Sequence, residues 1–199
     1  MAIPETQLDT WSGQGSVAQS SETYATIRRA LDTAEAPYAD KQYRIFLQGS
    51  YGNDTNIYSE SDVDVVIQLD SSFAHDLSEL PQDQTNEFKA AYSDATYAHS
   101  AFKADVLKQL RGRFGGAVTE SQKAVKIQAG AGRRSADVLI AVQFRRYHRF
   151  RSIDDQEYDE GICFWTASGT RVANYPRQHS TNCTSKHQLT SGVFKPMSE

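Results

Sequence analysis

Residues 47–70 read LQGSYGNDTNIYSESDVDVVIQLD, and the architecture of the chain is decided in this stretch. Tyr43 to Gln48, running into it, reads as a strand, and Gly49-Ser50 breaks that strand. The segment that follows carries Gly52, Asn53, Asp54, Asn56 and two serines, the composition of a loop. From Asp62 to Leu69 the pattern alternates. Val63, Val65, Ile67 and Leu69 fall on one face, and Asp62, Asp64, Val66 and Gln68 on the other. The spacing predicts strand, tight turn, loop, strand.

Asp62 and Asp64 stand two apart on that second strand, so both carboxylates point the same way, about 7 Å apart at Cα. Two like charges that close are unfavourable unless a cation neutralises them. Hard oxygen ligands of this kind suit Mg²⁺ or Mn²⁺. Two such ions ~3.5–4 Å apart can stabilise the attacking and the leaving oxygen of an in-line phosphoryl displacement. Asp137 is the candidate third carboxylate. In RRSADVLIAVQF it interrupts an apolar strand near its start, where an unpartnered charge is costly. There it could help to deprotonate an attacking hydroxyl. Gly49 and Ser50 have a matching role. Glycine lets backbone approach a phosphate, successive N–H groups in a turn form an anion nest, and the Ser50 hydroxyl adds a hydrogen bond.

Outward from this centre, residues 17–34 read as a helix with Val17, Tyr24, Ile27 and Leu31 on one face, stopped before Pro37. After Pro81, a single long helix is expected over about 84–113. Its stripe is Phe88, Ala91, Tyr92, Ala95, Ala98, Phe102, Val106 and Leu110, and Gly115-Gly116 ends it. Strands are expected near 123–129 and 136–144, joined by GAGRRS, then a short strand Ile162 to Trp165 and a loop-rich tail. The order predicts an α+β domain, a small twisted mixed sheet with helices packed on one face.

The chain has 199 residues, a net charge of −4 and 39% hydrophobic residues, enough for one core domain spanning 1–199. The acidic balance argues against a constitutive nucleic-acid partner. Arg145, Arg146, His148, Arg149 and Arg151 form a basic run interleaved with aromatics, read as a solvated strand end. Asp154, Asp155, Glu157, Asp159 and Glu160 form an acidic run, read as a flexible surface loop. Cys163 and Cys183 make no disulfide framework, no apolar run approaches the ~20 residues of a membrane span, and no signal peptide is visible. A cytoplasmic protein is expected. His179, Cys183 and His187 have a zinc-like spacing but sit in a serine- and threonine-rich segment that reads as a loop.

Gly-Ser, a short spacer, Asp-x-Asp and a later aspartate on a strand together resemble the polymerase-β-like nucleotidyltransferase superfamily. More closely, the chain resembles the bacterial CD-NTases, relatives of cyclic GMP-AMP synthase that work in anti-phage signalling. The likeness runs from about residue 11 to residue 195 and includes SETYATIRRAL, LQGSYGNDTNI, SESDVDVVI, ADVLIAVQFRRY and NYPRQHSTN. It implies a polymerase-β-like core that joins nucleoside triphosphates into cyclic or linear oligonucleotide second messengers, releasing pyrophosphate. It also implies two Mg²⁺ ions, with Mn²⁺ able to substitute. Asp62, Asp64 and Asp137 would be catalytic metal ligands, and Gln48, Gly49 and Ser50 would contact the donor nucleotide. Family members usually continue into a helical second lobe. This sequence stops at FKPMSE, so a core without that lobe is expected, with a separate C-terminal lobe or a regulatory protein as a partner. Two alternatives stand beside this reading: a nucleotidyltransferase that modifies a small molecule or a protein, and a nucleotide-binding fragment with little turnover.

Overall fold

The computed structural model describes residues 17–48, 62–130 and 132–176. Helix α1 spans Val17–Leu31 and buries Ile27 and Leu31 completely. It stops three residues short of the expected end because tertiary donors take its last carbonyls. The Tyr38 hydroxyl donates to Leu31 O (2.9 Å) and the Gln109 amide to Ala30 O (2.9 Å). Strand β1 is Tyr43–Leu47. Strand β2, Val63–Asp76, runs well past the expected end at Leu69, because an irregularity between Leu69 and Phe73 lets pairing resume beyond Asp70.

The expected long helix is two helices, α2 (Gln82–Ala91) and α3 (His99–Phe114). Tyr92 is extended, with φ −119° and ψ 141°. The intervening Ser93, Asp94 and Thr96 compete with helical hydrogen bonding. The apolar stripe looks continuous in sequence, yet it serves two cores. Phe88 packs with Leu80, Tyr147 and Phe150, whereas Phe102, Val106, Leu107 and Leu110 pack into the main core. Gly115, at φ 56°, ends α3 as expected.

Strands β3 (Val118–Glu120), β4 (Val125–Ile127), β5 (Ala136–Phe150), β6 (Gln156–Trp165) and β7 (Arg171–Asn174) complete a mixed sheet. Its order is β1-β2-β5-β4-β3, with β6 paired to β5 and β7 to β6. Among the described strands only β2 and β5 run parallel. The long β5 is shared along one edge, first by β4 over Ala136–Val138 and then by β6 from Val142 onward. Val63, Val65, Ile67 and Leu69 of β2 and Val138, Ile140 and Val142 of β5 meet α1 and α3 in the main core. The opposite face carries a smaller cluster of Val66, Ala141, Ile162 and Phe164. The α+β expectation of a mixed sheet with helices packed against it holds, with α2 set over Phe73 and Tyr147 on the face away from the main core.

β3 and β7 were not anticipated, being too short to show a period. The acidic run also corrects the expectation of a flexible loop. Glu157, Asp159 and Glu160 lie in β6, opposite Arg149, Arg146 and Arg145 of β5. The basic run is thereby matched from within. Arg146 meets Glu79 at 2.8 Å and His148 meets Glu79 (2.7 Å) and Asp159 (3.0 Å). Arg149 and Arg151 both pair with Asp155. Arg145 lies over the rings of Phe73 and Tyr158. Each cation of the run has an anionic or aromatic partner, so the run is a folded hairpin and not a free basic face. Cys163 is a buried free thiol of the main core, and His179, Cys183 and His187 lie outside the described residues. No described helix is long and apolar enough to cross a membrane.

Gly161 sits where β7 and the following Tyr175 come closest to β6. A Cβ there would stand 2.5 Å from Asn174 O and 3.0 Å from the Tyr175 ring. Gly161→Ala should destabilise the fold by about 1–3 kcal/mol, read as a lower urea midpoint at unchanged slope.

Candidate active site

The site begins with strand register. β2 and β5 pair in parallel with Asp64 directly opposite Asp137. On the other side, Gln48 follows β1, and its N–H donates to Asp64 O at 3.0 Å. Beyond Asp137, β4 pairs antiparallel and sets Lys126 opposite it. Directly paired residues share a face, so Asp64, Asp137 and Lys126 form a row across the sheet, with Gln48 at its end. Val63, Val65 and Val138 point to the helix-covered core, so the row lies on the face away from α1 and α3.

Asp62 flanks the row just before β2. Ser135 holds it from both sides, because its carbonyl accepts from Val63 N–H (3.0 Å) and its hydroxyl donates to Asp62 Oδ1. Lys126 Nζ donates to Asp62 Oδ2 at 2.8 Å. The turn that carries Ser135 is tied to α1, since the hydroxyl of fully buried Thr23 accepts from Arg134 N–H at 3.0 Å.

The electrostatics separate the three carboxylates. Burial, then the charges of Asp137 and Asp62, push Asp64 up to about 6. Burial and the Asp62 charge raise Asp137 as well, with Lys126 working against them. Burial acts to raise Asp62 too, but the hydrogen bonds from Lys126 and Ser135 and the charges of Lys126 and Arg134 outweigh it and hold Asp62 below the usual range.

The donor set fits a divalent cation. Asp137 Oδ1 and Gln48 Oε1 are buried without a hydrogen-bond partner among the described residues, and two paired carboxylates face each other at a cost that a bound cation would remove. The set is nevertheless not preassembled. Among the described residues no three His, Cys, Asp or Glu side chains are gathered closely enough to hold an ion. Both oxygens of Asp62 are engaged by Ser135 and Lys126. A separate hollow of about 720 Å³, lined by Arg29, Arg113 and Arg133 among others, does not include the carboxylates.

The structure thus brings together Gln48, Asp62, Asp64 and Asp137 of the expected residues, while Gly49 and Ser50 lie outside the described residues. Sequence reading missed Lys126 and Ser135. Alternation in Val125-Lys126-Ile127 puts Lys126 away from the core, but only the pairing of β4 with β5 sets it beside Asp137.

The fold is that of a nucleotidyltransferase core. Residues 11–109 match the model of the Second Messenger Oligonucleotide or Dinucleotide Synthetase domain. The chain is 37% identical over 198 residues to the cyclic UMP-AMP synthase of Rhodothermus marinus, covering 98% of this chain and 65% of that protein. It is 35% identical to the cyclic nucleotide synthase CdnE01 of Staphylococcus haemolyticus, over 98% of this chain and 66% of the relative. The R. marinus CdnE structure with Apcpp and Upnpp superposes with a TM-score of 0.80 at 36% identity, over 98% of this chain and 64% of that one. The CdnE cyclic dinucleotide synthase of Elizabethkingia meningoseptica, with GTP and Apcpp, gives 0.70 at 29% identity over the same shares, 98% and 64%. The chain belongs to the bacterial CD-NTases, on their CdnE-type branch, and spans about 65% of the length of the relatives it matches.

The raised Asp64 pKa has a defined effect on stability. The folded state binds this proton more tightly than the unfolded chain does, so the Asp64 contribution to stability falls as pH rises from about 4 through about 6. In metal-free buffer, Asp64→Asn should therefore gain stability relative to the parent as pH rises across that window. Paired thermal melts from pH 4 to 7 check this, and a pH-independent difference would contradict it.

Proposed function

We propose that the chain is the catalytic core of a metal-dependent nucleotidyltransferase that joins nucleoside triphosphates into cyclic or linear oligonucleotide second messengers. The observation that carries this reading is the in-register pair Asp64–Asp137, flanked by Asp62, on the face of a CdnE-type core away from α1 and α3. Asp62, Asp64 and Asp137 would hold Mg²⁺, two ions in the full complex, with Mn²⁺ able to replace it. When bound, the metal supplies positive charge to the attacking hydroxyl and to the departing pyrophosphate.

The side chains do the rest. Asp137, with an unpartnered buried oxygen, accepts the proton of the attacking hydroxyl. The deprotonated hydroxyl oxygen of the first nucleotide bonds to the α-phosphorus of a second, and the bond from that phosphorus to the bridging oxygen of the departing pyrophosphate breaks. Gln48 at the end of the row, with Gly49 and Ser50 next to it in sequence, would contact the donor nucleotide, Ser50 at its phosphates. Positioning of this kind supplies much of the rate in phosphoryl transfer.

The matched relatives are named for different products: UMP-AMP, dipurine and dipyrimidine cyclic nucleotides. A shared core with divergent products supports nucleotide joining as the common reaction, with base choice set by details around the core. In the cell we place the reaction in the cytoplasm, in anti-phage signalling. A helical lobe from outside these residues would complete the cleft.

Incubation with α-labelled ATP, GTP, CTP and UTP and Mg²⁺ or Mn²⁺ tests the reading. Phosphatase-resistant oligonucleotides should appear and should vanish in Asp62→Ala/Asp64→Ala. Label transferred to another acceptor would point to a different nucleotidyltransferase. Nucleotide binding indifferent to metal and to both aspartates would overturn the proposal.

A further inference from the structure

Three carboxylates crowd the open end of β2 and β5, and the ammonium of Lys126 is bonded to one of them. Lys126 Nζ stands 2.8 Å from Asp62 Oδ2 while the Ser135 hydroxyl takes Oδ1, so Asp62 has no carboxylate oxygen left without a partner. The placement is built into the sheet. Val125 and Ile127 are buried in the main core, which turns Lys126 to the carboxylate face, and β4–β5 register sets it opposite Asp137. The three aspartates are accordingly not gathered into a ready ligand set.

We propose that Lys126 is a displaceable counter-ion that gates metal loading, its ammonium standing at Asp62 where a divalent ion has to bind. This rests on the reading of Asp62, Asp64 and Asp137 as the metal site. A lysine suits the task, being a compact point charge on a flexible stem that can swing away without disturbing the backbone. The pair is partly exposed, with side-chain accessibilities of 46% for Lys126 and 29% for Asp62. Such pairs are weak, so a divalent ion can outcompete the ammonium. Lys126 therefore tunes metal affinity without blocking it. It neutralises the acidic cluster while metal is absent and yields Asp62 when metal arrives. The ammonium also repels an incoming cation, so removing it should favour metal twice over, by freeing Asp62 and by lifting that repulsion.

The sign of the effect separates this role from a merely structural one. If Lys126 only braced the site, its loss would weaken metal binding. As a competitor, its loss strengthens it. Mn²⁺ binding to the full chain, followed by electron paramagnetic resonance of free Mn²⁺ at low salt, should show Lys126→Gln binding about two- to fivefold tighter than the parent. Lys126→Arg should stay at or below parent affinity. Thermal melts should show a larger Mn²⁺-induced rise for Lys126→Gln, from a lower metal-free midpoint. Asp64→Asn and Asp137→Asn serve as controls and should lose binding. Unchanged or weaker Mn²⁺ binding by Lys126→Gln, with the controls impaired, overturns the gating role and leaves the metal site standing. Controls that bind like the parent overturn the metal site, and this inference with it.

Discussion

The parallel pairing of β2 with β5 is the constraint on which the rest of the structure depends. It sets Asp64 against Asp137 in register, two carboxylates that repel and that burial pushes toward protonation. Nothing in fold stability favours that arrangement, because a cross-strand pair would be better served by neutral or opposite charges. It persists because the same two strands supply, from their other face, the largest share of the main core: Val63, Val65, Ile67, Val138, Ile140 and Val142 against α1 and α3. Apolar burial on one face holds together an electrostatically unfavourable row on the other.

The surroundings of the row are stiff where rigidity is useful. The buried Thr23 hydroxyl ties the turn before β5 to α1, and Ser135 grips β2 with its carbonyl and Asp62 with its hydroxyl. Lys126 is the displaceable member of the proposed site, an exposed side chain on a short strand. The site thus combines a fixed carboxylate scaffold with a movable charge, an arrangement suited to taking up ions without moving backbone.

Several readings failed for a common reason: they depended on partners remote in sequence. The stripe from Phe88 to Leu110 has the right period for one helix, yet its two halves face different clusters, and the chain breaks at Tyr92 to reach both. The acidic run looked like solvated loop because charged residues in a row show no apolar alternation that would mark a strand. In the sheet they face Arg145, Arg146 and Arg149 across β5 and β6. β3 and β7 are too short for alternation to be visible, and exist because β4 and β6 offer them an edge.

By itself, the sequence determined the face that each residue of β2 and β5 presents, since alternation is local and a strand repeats every two residues. That was enough to place Asp62 and Asp64 together, to mark Asp137 as a charge with no local reason to be there, and to suggest the family. Only the tertiary structure decided which residues stand side by side across strands. Register is set by core packing summed over both partners, so neither strand encodes it alone. The pairing of Asp64 with Asp137, the unpartnered oxygen of Asp137, and the arrival of Lys126 and Ser135 at Asp62 are consequences of that register.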